Sequence, residues 1–178
     1  MNKPAARPKV AVRQVTAATA QDTVALAALL RDAVEGQASV GFVLPLGANE
    51  AEAWARASMQ ALGPGLMLWL AEVDGRAIGT VQLGPRLKAN GRHRGEVMKL
   101  LVHRAARGLG VARELMAALE RGAREAGLML LVLDTEAGSP AEAIYRHLGW
   151  QHAGNVPDYA VTPAGKLHAT AVFYKRVA

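Results

Sequence analysis

Residues 96–127 constrain the fold more than any other part of this chain, because three different patterns follow one another there. Residues 97–102 (VMKLLV) are apolar except for Lys99, which is typical of a central strand covered on both faces. Residues 107–112 (RGLGVA) form a basic, glycine-containing turn. Apolar residues then recur at intervals of four and predict an amphipathic helix: Val111, Leu115, Leu119 and Ala123. The stretch therefore predicts a buried strand, a glycine turn and a long helix.

The glycine turn has the composition of a phosphate-binding site. Gly108 and Gly110 allow successive N–H groups to converge at a helix N-terminus, where free donors and the helix dipole hold phosphate oxygens. The net charge of +6 also favours an anionic ligand. Aromatic residues make up only 4% of the chain and no basic run is interleaved with them, so no nucleic-acid partner is expected. A small phosphorylated cofactor fits better.

Two kinds of cofactor fit a strand, a glycine turn and a helix. Gly108 and Gly110 match the first two glycines of GxGxxG, and Asp134 follows at about the spacing of a ribose-binding carboxylate, which would suit a nicotinamide dinucleotide. The third glycine position is Arg113, however, and the pattern opens after four predicted strands. A dinucleotide-binding domain places it in its first βαβ unit, so a different phosphorylated cofactor is favoured.

The other elements predict a single domain. A chain of 178 residues, 51% of them hydrophobic, is long enough for one substantial core and too short for two ordinary domains. We assign residues 1–8 to a flexible N-terminus and residues 9–178 to the domain. A broken apolar loop at residues 37–48 is either a strap over the core or a wall of a substrate pocket.

Local signals place further elements around this loop. Asn49 is expected to cap a helix, and Asp74-Gly75 between two apolar runs predicts a β-hairpin. Ser139-Pro140-Ala141-Glu142 has the pattern of a capping box with proline at the first helical position, so Ser139 is expected to cap a later helix. After residue 150 the sequence predicts two strands around a long turn that contains Pro157 and Asp158.

Several classes of protein are not expected. The chain has no cysteine, and none of its five histidines forms an HxxxH pair, so no metal site is expected. No apolar run approaches the roughly 20 residues that span a bilayer, and the N-terminus lacks the hydrophobic region of a secretory signal. We therefore expect a soluble, cytoplasmic protein with no membrane partner.

Two sequence motifs resemble a known family. Residues 102–112 (VHRAARGLGVA) contain R-x-x-G-x-A, with Arg107, Gly110 and Ala112 in the signature positions, and AEAIYRHLGW follows about thirty residues later. This combination resembles the GNAT N-acetyltransferase superfamily. Residues 96–175 are more particularly similar to tabtoxin resistance-type acetyltransferases.

The resemblance implies an α/β fold with a mixed, mostly antiparallel sheet of about seven strands and about four helices. It also implies acetyl-CoA as co-substrate, with its pyrophosphate on the turn and its pantetheine in a splay beside a bulged central strand. The residues that would contact it are Leu100, Leu101, Val102, Arg107, Gly108, Leu109, Gly110, Val111, Ala112 and Arg113.

Three side chains are candidates for the chemistry that the resemblance implies, which is direct acetyl transfer to an amine in a ternary complex. Tyr145 matches the tyrosine that protonates the departing thiolate; without the resemblance it reads as a core tyrosine. Glu96 matches a carboxylate that takes the amine proton, and is otherwise a strand-end charge. Asp134 ends an apolar strand at a ligand-binding sheet edge and is the alternative base, or else a turn carboxylate.

One position departs from the family pattern. Gly138 stands seven residues before Tyr145, where many relatives have an asparagine that binds pantetheine, and Ser139 is a candidate to replace it. The acceptor that the resemblance suggests is a small-molecule primary amine, such as an antibiotic, toxin or amino-acid derivative. A homodimer is a candidate assembly, and a non-catalytic acetyl-CoA-binding regulatory module is the alternative function.

Overall fold

Seven strands form one sheet in the computed structural model, which describes residues 8–178. The strands are β1 (Ala11–Gln14), β2 (Met67–Val73), β3 (Arg76–Pro85), β4 (Arg94–Val102), β5 (Leu130–Glu136), β6 (Gln151–Val161) and β7 (Leu167–Arg176). The α-helices are α1 (Ala20–Glu35), α2 (Ala48–Gln60), α3 (Val111–Glu125) and α4 (Pro140–His147). The flexible N-terminus expected at residues 1–8 lies outside the described residues, except for Pro8.

The sheet is mixed and mostly antiparallel. Its strand order is β1-β2-β3-β4-β5-β7-β6, and the β4–β5 pair is parallel while the other neighbouring pairs are antiparallel. A parallel pair needs a crossover connection, and α3 provides it between β4 and β5. The fold class, the number of strands and the number of helices predicted from the sequence are confirmed.

Side-chain alternation along β2 shows how the sheet divides the core. Leu68 and Leu70 point to one face and pack in a cluster with residues of α1 and α2. Trp69 and Ala71 point to the opposite face and pack with α3 and Tyr145 of α4. Because successive side chains of a strand point to opposite faces, one strand supplies both halves of the core. We call these the α1/α2 face and the α3/α4 face.

Helix α3 approaches the sheet closely because of Gly122. A Cβ atom added at Gly122 would lie 2.5 Å from Cζ2 of Trp69. The helix therefore rests on the indole ring with no space for a side chain at this turn.

Two local predictions are wrong. Helix α2 starts one residue before Asn49, its N-cap is Gly47, and no side chain caps it. Pro157 and Asp158 lie inside β6 at an irregularity between Val156 and Ala160, where Asp158 has φ of 50°. An edge strand tolerates proline because one side of its main chain has no partner strand, so β6 continues through the position where the composition predicted a turn.

Within residues 8–178, no helix is long and apolar enough to cross a membrane.

Gly122→Ala is expected to lower the free energy of unfolding, because the new methyl group overlaps the Trp69 ring and such overpacking costs about 1–3 kcal/mol. Alanine favours a helix over glycine by about 1 kcal/mol, so the net loss should be at most about 2 kcal/mol. Urea denaturation measures the result. Gly65→Ala is the matched control, since nothing lies within 4 Å of its added Cβ atom and it should be near neutral. A more stable Gly122→Ala protein would contradict the close packing.

Candidate functional site

The turn before α3 presents a set of free main-chain donors. Gly108 has φ of 81° and Gly110 has φ of 82°, in the left-handed region that favours glycine. Gly110 is the N-cap of α3 and no side chain caps the helix. Within residues 8–178, the following N–H groups have no protein acceptor: Gly108, Gly110, Val111, Ala112 and Arg113. Such donors at the positive end of a 15-residue helix suit a phosphate-bearing ligand.

The side chains of this turn are of two kinds: two apolar ones pack in the core and two basic ones are exposed to solvent. Leu109 and Val111 pack into the core of the α3/α4 face and fix the turn to the sheet. Arg107 and Arg113 are exposed beside the free donors and add positive charge. The signature positions predicted from the sequence therefore lie together at one end of α3.

Strands β4 and β5 separate soon after they pair. Their parallel register joins Arg94–Glu96 of β4 to residues 130–132 of β5 and stops there, whereas β4 continues to Val102 and β5 to Glu136. Over that length β5 pairs instead with β7 on its other side. The result is a gap between the strands that opens toward the turn before α3, as the resemblance implied.

A β-bulge lies in β4 at the mouth of this gap. Met98 pairs with Gln82 and Leu101 pairs with Thr80, so Lys99 and Leu100 together oppose Val81. Lys99 is the extra residue in the left-handed region, with φ of 52°, while Leu100 packs into the core of the α3/α4 face. Leu101 turns to the α1/α2 face, and Val102 packs against the α3/α4 core. The bulged central strand is therefore present.

Glu96 and Asp134 lie on the same face of the sheet at the gap. Glu96 pairs in register with Val132, and Asp134 is two residues further along β5, so both carboxylates point to the α1/α2 face. The guanidinium of Arg86 forms an ion pair and hydrogen bond with the Glu96 carboxylate. Asp134 has no such partner within the described residues.

The environment of Asp134 favours its protonated form. The carboxyl remains in contact with solvent, but the protein around it displaces enough water to raise its pKa, and the charge of Glu96 raises it further. The ammonium group of Lys99 acts in the opposite direction. Asp134 therefore holds its proton more tightly than an ordinary aspartate does, because burial and the charge of Glu96 both raise its pKa.

Tyr145 approaches the gap from the other face of the sheet. It is 7% exposed on α4, and its ring lies 6.1 Å from the Trp150 ring and 6.2 Å from the Phe173 ring, centroid to centroid. Burial raises the pKa of Tyr145 well above its usual range, and the Asp134 charge adds to the shift. The hydroxyl is therefore protonated at neutral pH, and it lies within the electrostatic influence of Asp134.

Ser139 and Gly138 lie at the start of α4. The Ser139 hydroxyl oxygen accepts a hydrogen bond from the main-chain N–H of Glu142, and the N–H of Gly138 donates to the Glu142 carboxylate at 2.6 Å. Ser139 therefore acts as the helix cap that the sequence predicted. The second half of the capping box involves Gly138 in place of the N-cap residue itself.

Contacts from β4 and β7 hold the loop between α1 and α2, and they were not predicted from the sequence. Lys99 Nζ donates to the Val40 carbonyl at 2.7 Å and lies 5.8 Å from the centroid of the Phe42 ring. On the other side, Ser39 Oγ lies 3.0 Å from His168 Nε2. A lysine within an otherwise apolar strand was the available signal for this cluster, since a buried ammonium requires a partner.

Known proteins resemble this chain in sequence and in fold. A model described as the acetyltransferase (GNAT) family matches residues 33–150. The uncharacterized N-acetyltransferase YjgM of Escherichia coli (strain K12) is 32% identical over 105 residues, which make up 58% of this chain and 60% of the length of that relative.

Many solved structures share the fold with this chain. Ribosomal-protein-alanine N-acetyltransferase from Brucella melitensis has a TM-score of 0.76 and 27% identity, covering 93% of this chain and 99% of its own. The yncA protein from Salmonella typhimurium, solved with its cofactor acetyl-CoA, has a TM-score of 0.76 and 22% identity, covering 95% of this chain and 94% of its own.

Asp134→Asn is expected to raise the free energy of unfolding at pH 7. A carboxyl whose pKa is raised by folding opposes folding once it is ionised, and the amide removes that charge. The gain should shrink as the pH falls through the Asp134 pKa, where the wild-type carboxyl becomes neutral. Urea denaturation between pH 4 and pH 7 measures the trend.

Asp32→Asn is the matched control with the opposite sign. Burial of Asp32 favours its neutral form, but hydrogen bonds from the side chain and main chain of Arg104 lower its pKa overall. This substitution should destabilise the protein at pH 7, and the loss should diminish as the pH falls through the Asp32 pKa. Destabilisation of both variants at pH 7 would contradict the assignment for Asp134.

Proposed function

Because the chain belongs to the acetyltransferase (GNAT) family, whose model matches residues 33–150, we propose that it transfers the acetyl group of acetyl-CoA to a primary amine of a small molecule. The observation that carries this proposal is the gap between β4 and β5. It has free main-chain donors at one end and brings a proton donor and two carboxylates together at its sides. The similarity to tabtoxin resistance-type enzymes stays a prediction.

The described residues fit acetyl-CoA as a co-substrate. The uncapped N–H groups at residues 108–113 match the oxygens of a pyrophosphate, and Arg107 and Arg113 add cationic side chains there. Beyond Glu96, β4 has no register partner on its β5 side, so its main chain is available to an extended amide-containing arm. In our proposal, Leu100, Leu101 and Val102 line that arm.

The proposed reaction is direct transfer within a ternary complex. The amine nitrogen, once neutral, attacks the thioester carbonyl carbon; a C–N bond forms and the C–S bond breaks. A main-chain N–H near Leu101 or Val102 polarises the carbonyl oxygen, and the Tyr145 hydroxyl gives its proton to the departing thiolate. The proton lost by the amine goes to a carboxylate at the gap.

We propose Asp134 as the base in preference to Glu96. The Glu96 carboxylate is already engaged in an ion pair and hydrogen bond with the guanidinium of Arg86. Burial and the charge of Glu96 raise the pKa of Asp134, so its carboxylate is a stronger base than that of an ordinary aspartate. Glu96 contributes negative charge that raises the pKa of Asp134 and attracts a cationic amine.

Tyr145→Phe is expected to lower kcat about 100-fold and to leave the affinity for acetyl-CoA nearly unchanged, because only the acidic hydroxyl is lost. Thiol release with a panel of small amines, aminoglycosides, polyamines and peptide N-termini gives the rate, and calorimetry with acetyl-CoA gives the affinity. Tyr174→Phe is the matched control, since that tyrosine belongs to β7 and has no proposed role. Unchanged turnover in Tyr145→Phe would remove the donor role.

The rate–pH profile of kcat/KM distinguishes the two carboxylates. Activity that depends on ionised Asp134 should rise with pH through a pKa above the usual aspartate value of about 4. Asp134→Asn should lower the rate about 100-fold and abolish this limb, while Glu96→Gln should retain it. A limb that persists in Asp134→Asn and is lost in Glu96→Gln would reverse the assignment. Binding of acetyl-CoA without thiol release from any amine would indicate a regulatory module.

A further inference from the structure

A lysine at position 99 is energetically unfavourable, because of both its backbone conformation and the burial of its side chain. It is the extra residue of the β4 bulge, and a non-glycine residue in the left-handed region costs roughly 1–3 kcal/mol. Its side chain is half-buried, and burial lowers the pKa of its ammonium group, although Asp134 and Glu96 oppose that shift. An apolar residue would fill the same space at lower cost, so packing alone does not account for a lysine here.

The ammonium group of Lys99 is directed to the loop between α1 and α2. We call residues 37–47 the acceptor loop. Lys99 Nζ donates to the main-chain carbonyl of Val40 at 2.7 Å, a bond that spans 59 positions of the sequence. The same nitrogen lies 5.8 Å from the centroid of the Phe42 ring, close enough for a cation–π interaction. The hydrogen bond to Val40 and the cation–π contact with Phe42 therefore hold the acceptor loop against the β4 bulge.

The acceptor loop is supported at other points as well. The Phe42 ring meets the Trp54 ring of α2 edge to face, with centroids 6.1 Å apart and an interplanar angle of 78°. The N–H of Leu44 donates to the carbonyl of Pro163 in the turn between β6 and β7 at 2.9 Å. Lys99 supplies the contact at the central strand, where the gap and the two carboxylates lie.

We propose that Lys99 is a positioning residue of the acceptor site: its ammonium group fastens the acceptor loop to the β4 bulge and so sets the shape of the cleft beside Glu96 and Asp134. This inference rests on the proposed acetyl transfer, since the cleft has an acceptor only if that reaction occurs. The bulge explains the geometry, because an unbulged β4 would direct residue 99 to the α3/α4 face.

The test compares Lys99→Met, Lys99→Arg and Arg124→Met with the wild-type protein. Methionine keeps the unbranched stem and removes the charge, whereas arginine keeps a cation that can donate to Val40 and stack on Phe42. Arg124 is the matched control, because its Nε donates to the Val177 carbonyl at 2.7 Å at the opposite end of the sheet.

The first readout is hydrogen exchange of the main-chain amides of Ala38 and Leu44, which donate to the carbonyls of Ala33 and Pro163, measured by NMR without any substrate. Lys99→Met should exchange these amides at least tenfold faster, Lys99→Arg should restore most of the protection, and Arg124→Met should match the wild type. Unchanged protection in folded Lys99→Met would overturn the proposal. Lys99→Gln, whose side chain is uncharged and too short to reach the Val40 carbonyl, should shift the exchange in the same direction and decides the question if Lys99→Met does not fold.

The second readout is steady-state kinetics with an amine that the wild-type protein acetylates. At a pH above the Asp134 limb of the rate profile, where the loss of the Lys99 charge no longer changes the ionisation of that base, Lys99→Met should raise KM for the amine about tenfold. There kcat and KM for acetyl-CoA should stay within twofold of the wild type. A looser loop with unchanged KM for the amine would overturn the acceptor role. Faster loop exchange in Lys99→Met, together with no acetylation of any amine by the wild type, would refute the proposed function and leave the fastening of the loop intact.

Discussion

The separation of β4 from β5 is the constraint on which the site depends. A parallel pair normally continues as far as both strands do, because each unpaired main-chain group loses a hydrogen bond. Here the pairing stops at Glu96, β5 keeps its bonds to β7, and β4 keeps its bonds to β3. The sheet remains continuous at its base while one edge of β4 becomes a surface that another extended chain can pair with.

The two faces of the sheet contribute different chemistry at this gap. The α3/α4 face is apolar and supplies Tyr145, whose hydroxyl is held neutral by burial. The α1/α2 face supplies Glu96 and Asp134, whose charges are balanced by Arg86 and Lys99. A buried, neutral hydroxyl and two carboxylates are thus kept on opposite sides of the sheet, at the gap between β4 and β5.

The sequence predicted the parts of this site that depend on local pattern. The turn at Gly108 and Gly110, the start of α3 and the cap at Ser139 follow from residue types at fixed spacing. The hydrogen bond from Lys99 to the main-chain carbonyl of Val40 could not be predicted. Every residue has such a carbonyl, so no residue type or spacing indicates which one, 59 positions away, accepts the bond. Nor could the sequence reveal that Pro157 lies within a strand, since that depends on β6 being at the edge of the sheet.

The single extra residue in β4 reverses the alternation of side chains between the two faces of the sheet. Before it, even-numbered residues such as Glu96 and Met98 face the α1/α2 side; after it, the odd-numbered Leu101 does. Apart from Lys99, the run VMKLLV is apolar, so either alternation would bury apolar side chains equally well. Deleting the extra residue would therefore keep the other residues of the strand apolar and yet turn every later side chain to the opposite face of the sheet.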